Sequence, residues 1–195
     1  MESAFGIVGK DFVMLMTDMT AGRSIIVYQQ CDDKIYQLDQ TKLMATVGDY
    51  ASRTSFADFI QKNMNLMRLR TDLDMSNEAC AHFIRRQLAK SLRSKGGAVQ
   101  CNALLGGVDS HGPALYFIDY LGALQKVEYG AHGYCSNFAL SIMDKQYRQN
   151  LSQDEAKEIL KACAQQLQAR FIINLPKFLI KTVTAEGTKE EVLEL

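Results

Sequence analysis

The sequence has no excess of either charge: 22 Lys and Arg stand against 22 Asp and Glu, for a formal net charge of zero. That removes the field through which a chain binds nucleic acid or an anionic membrane non-specifically. The densest positive stretch, Arg85, Arg86, Lys90, Arg93 and Lys95, reads as the exposed side of a helix. No apolar run approaches the roughly 18 residues of a spanning helix. The N-terminal stretch MESAFGIVGKDFVMLMTD lacks a basic lead and is broken by Gly9, Lys10 and Asp11, so neither a signal peptide nor a membrane span is expected there. The five cysteines are odd in number and widely spaced, the nearest pair being Cys80 and Cys101. This argues against a disulfide scaffold and against Cys-x-x-Cys zinc or redox sites, and it points to reduced thiols in cytoplasm or nucleus. With only two prolines, no stretch rich in Pro, Gly or Ser offers a domain boundary. A composition 47% hydrophobic and 23% charged is that of a folded chain, and 195 residues suit one core, so 1–195 is read as a single domain.

The first fifty residues read as short antiparallel strands. Ala4–Val8 and Phe12–Thr17 flank Gly9-Lys10-Asp11, a connection short enough for a hairpin, and Ser24–Tyr28, Ile35–Leu38 and Leu43–Val47 follow between polar clusters. From about Ser52 the apolar period lengthens to 3.6: Phe56, Phe59, Ile60, Met64 and Met67 predict one helix. Cys80, Phe83, Ile84, Leu88 and Leu92 predict a second, which Ser76 can cap. Both stripes are read as core packing. After Gly96-Gly97 strands resume over Ala98–Leu105, Ala114–Tyr120 and Ala123–Tyr129. Two more helices are expected at Tyr134–Gln149 and Gln153–Phe171, the latter opened by a capping box from Ser152 to Glu155. A last strand, Lys177–Val183, leads into an acidic tail, 186–195, whose place at the chain end favours disorder unless a neighbouring chain holds it. Two strand blocks each need a cover, and two helix pairs supply it. The expected fold is α+β, a four-layer αββα sandwich with two antiparallel sheets between two helix pairs.

No self-contained catalytic motif accompanies this layout. His82, His111 and His132 lie at metal-ligand spacing from no other His or Cys, and each is read as a surface or hydrogen-bonded residue. Gly106-Gly107 and Gly130-x-x-Gly133 lack the flanking residues of a phosphate loop. No Gly-x-Ser-x-Gly elbow occurs. Neither a cofactor nor a metal is expected.

Several segments carry a resemblance instead: Gly6 to Asp18, Asp32 to Leu38 and Val47-Gly48-Asp49, then Phe56 to Asn63, Gly112 to Tyr116, Asp119 to Leu121, Gly130 to Tyr134 and Arg170 to Pro176. Together, from Glu2 to about Val183, they resemble the beta subunits of the 20S proteasome, and the later segments resemble the non-catalytic branch that takes the fourth position of the beta ring. The resemblance implies the sandwich of the N-terminal nucleophile hydrolases. It implies partners as well: beta-ring neighbours at positions three and five, an alpha ring on one side and the opposite beta ring on the other. It also implies work in cytoplasm and nucleus, in ubiquitin-dependent protein degradation.

Active members of that family attack peptide bonds with the hydroxyl of an N-terminal Thr, tuned by a Lys that an Asp orients. Matching Gly6 to the family's first strand glycine puts Glu2 at the nucleophile position, Asp18 on the orienting Asp, Lys34 on the Lys and Gly48 on the oxyanion-hole glycine. The family's later Gly-Ser-Gly becomes Gly133-Tyr134-Cys135, and its later Asp falls near Asn174. The few residues ahead of the first strand are expected to hold no propeptide, and the one Gly-Thr pair, Gly187-Thr188, is near the other end. Glu2, Asp18, Lys34 and Gly48 are therefore read as a vestigial site with no catalytic residue, Asp18 and Lys34 serving as an ion pair between neighbouring strands. The alternatives are an active threonine-type peptidase subunit and a proteasome-like scaffold outside the mature particle. For contacts with the opposite beta ring, Phe138, Met143 and Tyr147 are candidates, core burial being the competing role.

Overall fold

The computed structural model describes residues 2–23, 26–172 and 174–195. The first sheet is built on β1 (Ser3–Val8) and β2 (Phe12–Asp18), the predicted hairpin, paired from Ala4↔Thr17 to Val8↔Val13. Its other strands come from the far end of the chain: β10 (Tyr129–Gly133) lies beside β1, while β11 (Lys177–Thr184) and β12 (Gly187–Glu194) continue beyond β2, in the order β10-β1-β2-β11-β12. The second sheet runs β5-β6-β7-β8-β9 through β5 (Ile35–Asp39), β6 (Lys42–Gly48), β7 (Cys101–Asp109), β8 (Gly112–Ile118) and β9 (Leu124–Val127). A small ribbon, β3 (Ala21–Arg23) with β4 (Ile26–Gln29), stands apart with an exposed second strand. It covers the predicted strand Ser24–Tyr28 in part; Ser24 and Ile25 lie outside the described residues.

Each sheet buries one face against the other and one against helices. Between the sheets pack Ala4, Val13, Leu15, Leu43, Ala45, Leu104, Leu115 and Leu179. Side chains of opposite parity on β1 and β2, namely Phe5, Ile7, Phe12, Met14 and Met16, meet α3 (Ser136–Gln146) and α4 (Gln153–Arg170) through Met143, Ile159, Leu160 and Leu167. On the far side Met44, Cys101, Ala103 and Leu105 meet α1 (Tyr50–Thr71) and α2 (Asn77–Ser91) through Phe56, Ile60, Ile84 and Leu88. The observed order is helix pair, sheet, sheet, helix pair. Full burial on both faces is why the strand residues read as near-continuous apolar runs. The caps are as expected: Ser76 accepts from the Ala79 amide, and Ser152 with Glu155 forms a complete capping box.

Three expectations need correction. The predicted strand Ala123–Tyr129 is two strands in different sheets: β9 ends at Val127 in the second, the Glu128 carbonyl takes the Val8 N–H, and the chain continues as β10 in the first. The acidic tail is an ordered strand. β12 pairs with β11 along its whole length, from Lys177↔Glu194 to Thr184↔Gly187, and its acids meet bases: Glu194 lies 2.7 Å from Lys177, Glu191 2.6 Å from Lys157 and Glu190 3.4 Å from Lys181. Finally, of the three side chains named for contact with another ring, Met143 is fully buried in the core, whereas Phe138, 6.2 Å from the Phe171 ring, and Tyr147, 5.2 Å from the Tyr129 ring, are half-buried and keep part of their surface outward. On the same helix as Phe138, Leu140 is exposed.

Candidate functional site

Where β1, β2, β6 and α1 converge, the inter-sheet core gives way to charge. Asp18, at the end of β2, is fully buried and accepts from three donors: the Ser3 amide at 2.7 Å, the Thr20 amide at 3.1 Å and Lys34 Nζ at 2.7 Å. Lys34, equally buried, also donates to the Thr20 carbonyl at 2.8 Å. Lys34 precedes β5 in the second sheet, so the pair joins the two sheets rather than neighbouring strands. A second inter-sheet tie repeats this nearby: Lys181 of β11 donates to Asp33 at 2.6 Å and to the Ile35 carbonyl at 3.0 Å.

Glu2 lies beside this pair. Its Oε2 accepts from the Gly48 amide at 2.7 Å and its Oε1 from Arg53 Nε at 2.8 Å, with Lys34 Nζ 3.9 Å away. Gly48 is a tight spot, because a Cβ there would lie 2.0 Å from the Gln100 carbonyl oxygen. Gly133 is tighter still in conformation: φ is +89°, and a Cβ would sit 2.0 Å from the Glu2 carbonyl oxygen. Gly48 thus lets the end of β6 close on the backbone at the start of β7, and Gly133 lets β10 close on the backbone at Glu2. All four positions matched through the resemblance therefore meet in one place, whereas Asn174 is exposed ahead of β11 and makes none of the hydrogen bonds described for this cluster.

Sequence reasoning missed two members, Arg53 and Asp32. Arg53 occupies the first turn of α1, fully buried in the stripe it shares with Phe56, Ala57, Ile60 and Met64. Its Nη2 donates to Asp32 and its Nη1 to the Tyr36 hydroxyl at 3.4 Å, while its plane lies 4.9 Å over the Tyr50 ring. Burial works against the charged guanidinium, but the carboxylates of Glu2 and Asp32 outweigh it and hold the Arg53 pKa above its usual value. Burial also raises the Tyr36 hydroxyl, with Arg53 pulling the other way. A signal for Arg53 was present in the sequence: a cation three residues before Phe56 falls on the apolar stripe of its helix.

The cluster opens into a cavity of about 790 Å³ lined by Glu2, Gly22, Tyr28, Gly48, Tyr50 and Tyr134. Chemically it offers the Glu2 carboxylate, already spent on two donors. Ser3, the adjacent hydroxyl, is fully buried and does not line the cavity. Burial pushes the Cys135 thiol up to about 12, which leaves it protonated and unreactive at neutral pH. Of the histidines, His82 and His111 are exposed; His132 is buried, stacked 4.0 Å from the Phe117 ring with Nε2 3.1 Å from the Ala103 carbonyl oxygen. Among the described residues no three His, Cys, Asp or Glu side chains gather where they could hold a metal, and no helix is long and apolar enough to cross a membrane.

Two face-to-face antiparallel sheets between helix pairs, with the first strand delivering its leading residue to a cleft that holds an Asp–Lys pair, define the sandwich of the N-terminal nucleophile hydrolases. Within that class the chain belongs to the proteasome subunit family, whose sequence model, described as "Proteasome subunit", matches residues 2–183. It is similar to the proteasome subunit beta type-2 of Oryza sativa subsp. japonica, 41% identical over 191 residues that make up 97% of this chain and 89% of the relative. The beta type-2-B subunit of Arabidopsis thaliana is 40% identical over 97% of this chain and 95% of its own. The proteasome subunit beta type-4 of Saccharomyces cerevisiae is 36% identical over 97% and 96% respectively.

Proposed function

We propose that this chain is a non-catalytic, structural beta subunit of the 20S proteasome core, forming part of the chamber wall in ubiquitin-dependent protein degradation in cytoplasm and nucleus. One observation carries the reading: the side chain at the nucleophile position is the Glu2 carboxylate, and it occupies the amide of Gly48 at 2.7 Å, the donor an oxyanion would need. A carboxylate held this way is a poor acyl acceptor, and its seat keeps a substrate carbonyl off that amide. The partners proposed are the beta-ring neighbours at positions three and five, an alpha ring and the opposite beta ring. In support, α1 leaves Leu66 and Leu69 exposed on its outer side, Leu73 is exposed just past its end, and α3 leaves Leu140 exposed.

The test is to treat the purified complex with an electrophile selective for N-terminal Thr and to measure the intact mass of every chain. This chain is expected to keep its unmodified mass while the active sister subunits gain the adduct. An adduct here, or a native mass that excludes this chain from the core particle, would overturn the reading.

A further inference from the structure

We infer that the Gly48 amide and the Arg53 guanidinium form a carboxylate-binding site whose resident ligand is the chain's own Glu2 side chain. The inference rests on the contacts of Glu2 and stands apart from the subunit reading. The two donors come from different elements, the end of β6 and the first turn of α1, and each takes one oxygen of the same carboxylate, at 2.7 and 2.8 Å. What they recognise is a planar two-oxygen group. Both donors are held independently of Glu2. Gly48 pairs with Cys101 in the sheet, and Arg53 is fixed at its far end by Asp32, Tyr36 and Tyr50. The site should therefore survive loss of its ligand.

Charge selects among ligands. Lys34 and Arg53 are already matched by Asp18 and Asp32, so the cations carry no surplus: a monocarboxylate such as Glu2 leaves the cluster one net negative charge, and a dianion, which would leave two, is disfavoured. Access is open, because Glu2 lines the cavity of about 790 Å³ and truncating its side chain would leave both donors facing that space. The class of external ligand is accordingly a small monocarboxylate. In the intact chain Glu2 excludes it, since a tethered group acts at a far higher effective concentration than a free one.

The experiment is chemical rescue on the full chain. Glu2→Ala is expected to lower the melting temperature, and acetate or formate titrated to about 100 mM at constant ionic strength is expected to restore most of the loss, saturably. Sulfate at the same ionic strength should not restore it, and the unmutated chain should not respond to acetate. Adding Arg53→Met to Glu2→Ala should abolish the rescue. Should Glu2→Ala not accumulate as folded protein, Glu2→Gln serves instead. Hydrogen exchange at Gly48 should then run about tenfold faster than in the unmutated chain, because an amide bonded to an ionised acceptor loses that acceptor's charge. Equal rescue by sulfate, rescue that persists without Arg53, or Gly48 exchange indifferent to residue 2 would each overturn the assignment.

Discussion

Replacing Asp18 by Asn tests what the buried pair contributes. The change keeps the side chain's shape and removes its charge. Lys34 would then retain the Thr20 carbonyl at 2.8 Å, and the carboxylate of Glu2 only at 3.9 Å, for a fully buried ammonium. Removing one partner of a buried pair typically costs about 3–5 kcal/mol, because the other charge stays desolvated without compensation. The reverse change, Lys34→Met, leaves Asp18 its two backbone donors at 2.7 and 3.1 Å, so its cost should fall at the lower end, about 3 kcal/mol. The double variant carries neither charge and should be less destabilised than the sum of the singles by about 2–3 kcal/mol, as for groups in direct contact. Equilibrium urea unfolding of the four proteins measures this, the midpoint shifting at constant slope if only stability has changed. Effects that add to within about 0.5 kcal/mol would refute the coupling. If Asp18 and Lys34 were merely relics of a catalytic site, neither single variant would lose stability.

Two further outcomes follow from the geometry. Burial lowers the His132 pKa from 6.5 to about 4, while hydrogen bonding to Ala103 and the charge of Asp119 oppose the shift only in part. Between those two values the unfolded chain binds a proton that the folded one refuses, so stability should fall as pH drops from 6.5 towards 4. The loss is about 3 kcal/mol in all, and His132→Gln should flatten this part of a stability–pH profile. Deleting 187–195 removes β12, bares the edge of β11 and strips Glu190 from Lys181; melting temperature and solubility should both drop, and an unchanged melting curve would show the strand to be dispensable.

The four helices were legible because burial on one side imposes a 3.6-residue period that single side chains cannot disguise: Phe56, Ile60 and Met64 line the buried face of α1, and Ile159, Cys163 and Leu167 that of α4. The switch of sheets at Glu128 was not legible. Ala123 to Tyr129 holds neither Gly nor Pro, and what divides it is a distant partner, the Val8 amide that donates to the Glu128 carbonyl. The tail misled for a related reason. Its acids read as solvated until the register sets Glu190 opposite Lys181 and Glu194 opposite Lys177, so the information lay in β11 as much as in the tail. At the site, Glu2, Asp18, Lys34 and Gly48 were found by resemblance, which speaks only to positions that the family shares. Arg53 and Asp32 had to come from the structure, since a buried arginine is intelligible only once its carboxylates are seen beside it.

The position of the charged cluster has a physical logic. The apolar contact between the sheets runs from Val183 and Val8 at one end to Ala4, Ile35 and Val47 at the other, and there Asp18, Lys34, Glu2 and Arg53 take over. In a hydrolase of this architecture that end has to admit a substrate, so it cannot be closed with apolar side chains. Here ion pairs that join the first sheet, the second sheet and α1 stand at the base of the open cavity. Buried ion pairs are weak sources of net stability compared with apolar packing of the same volume, but they are demanding about geometry. Their effect is to fix the start of β1 against Gly48 and α1.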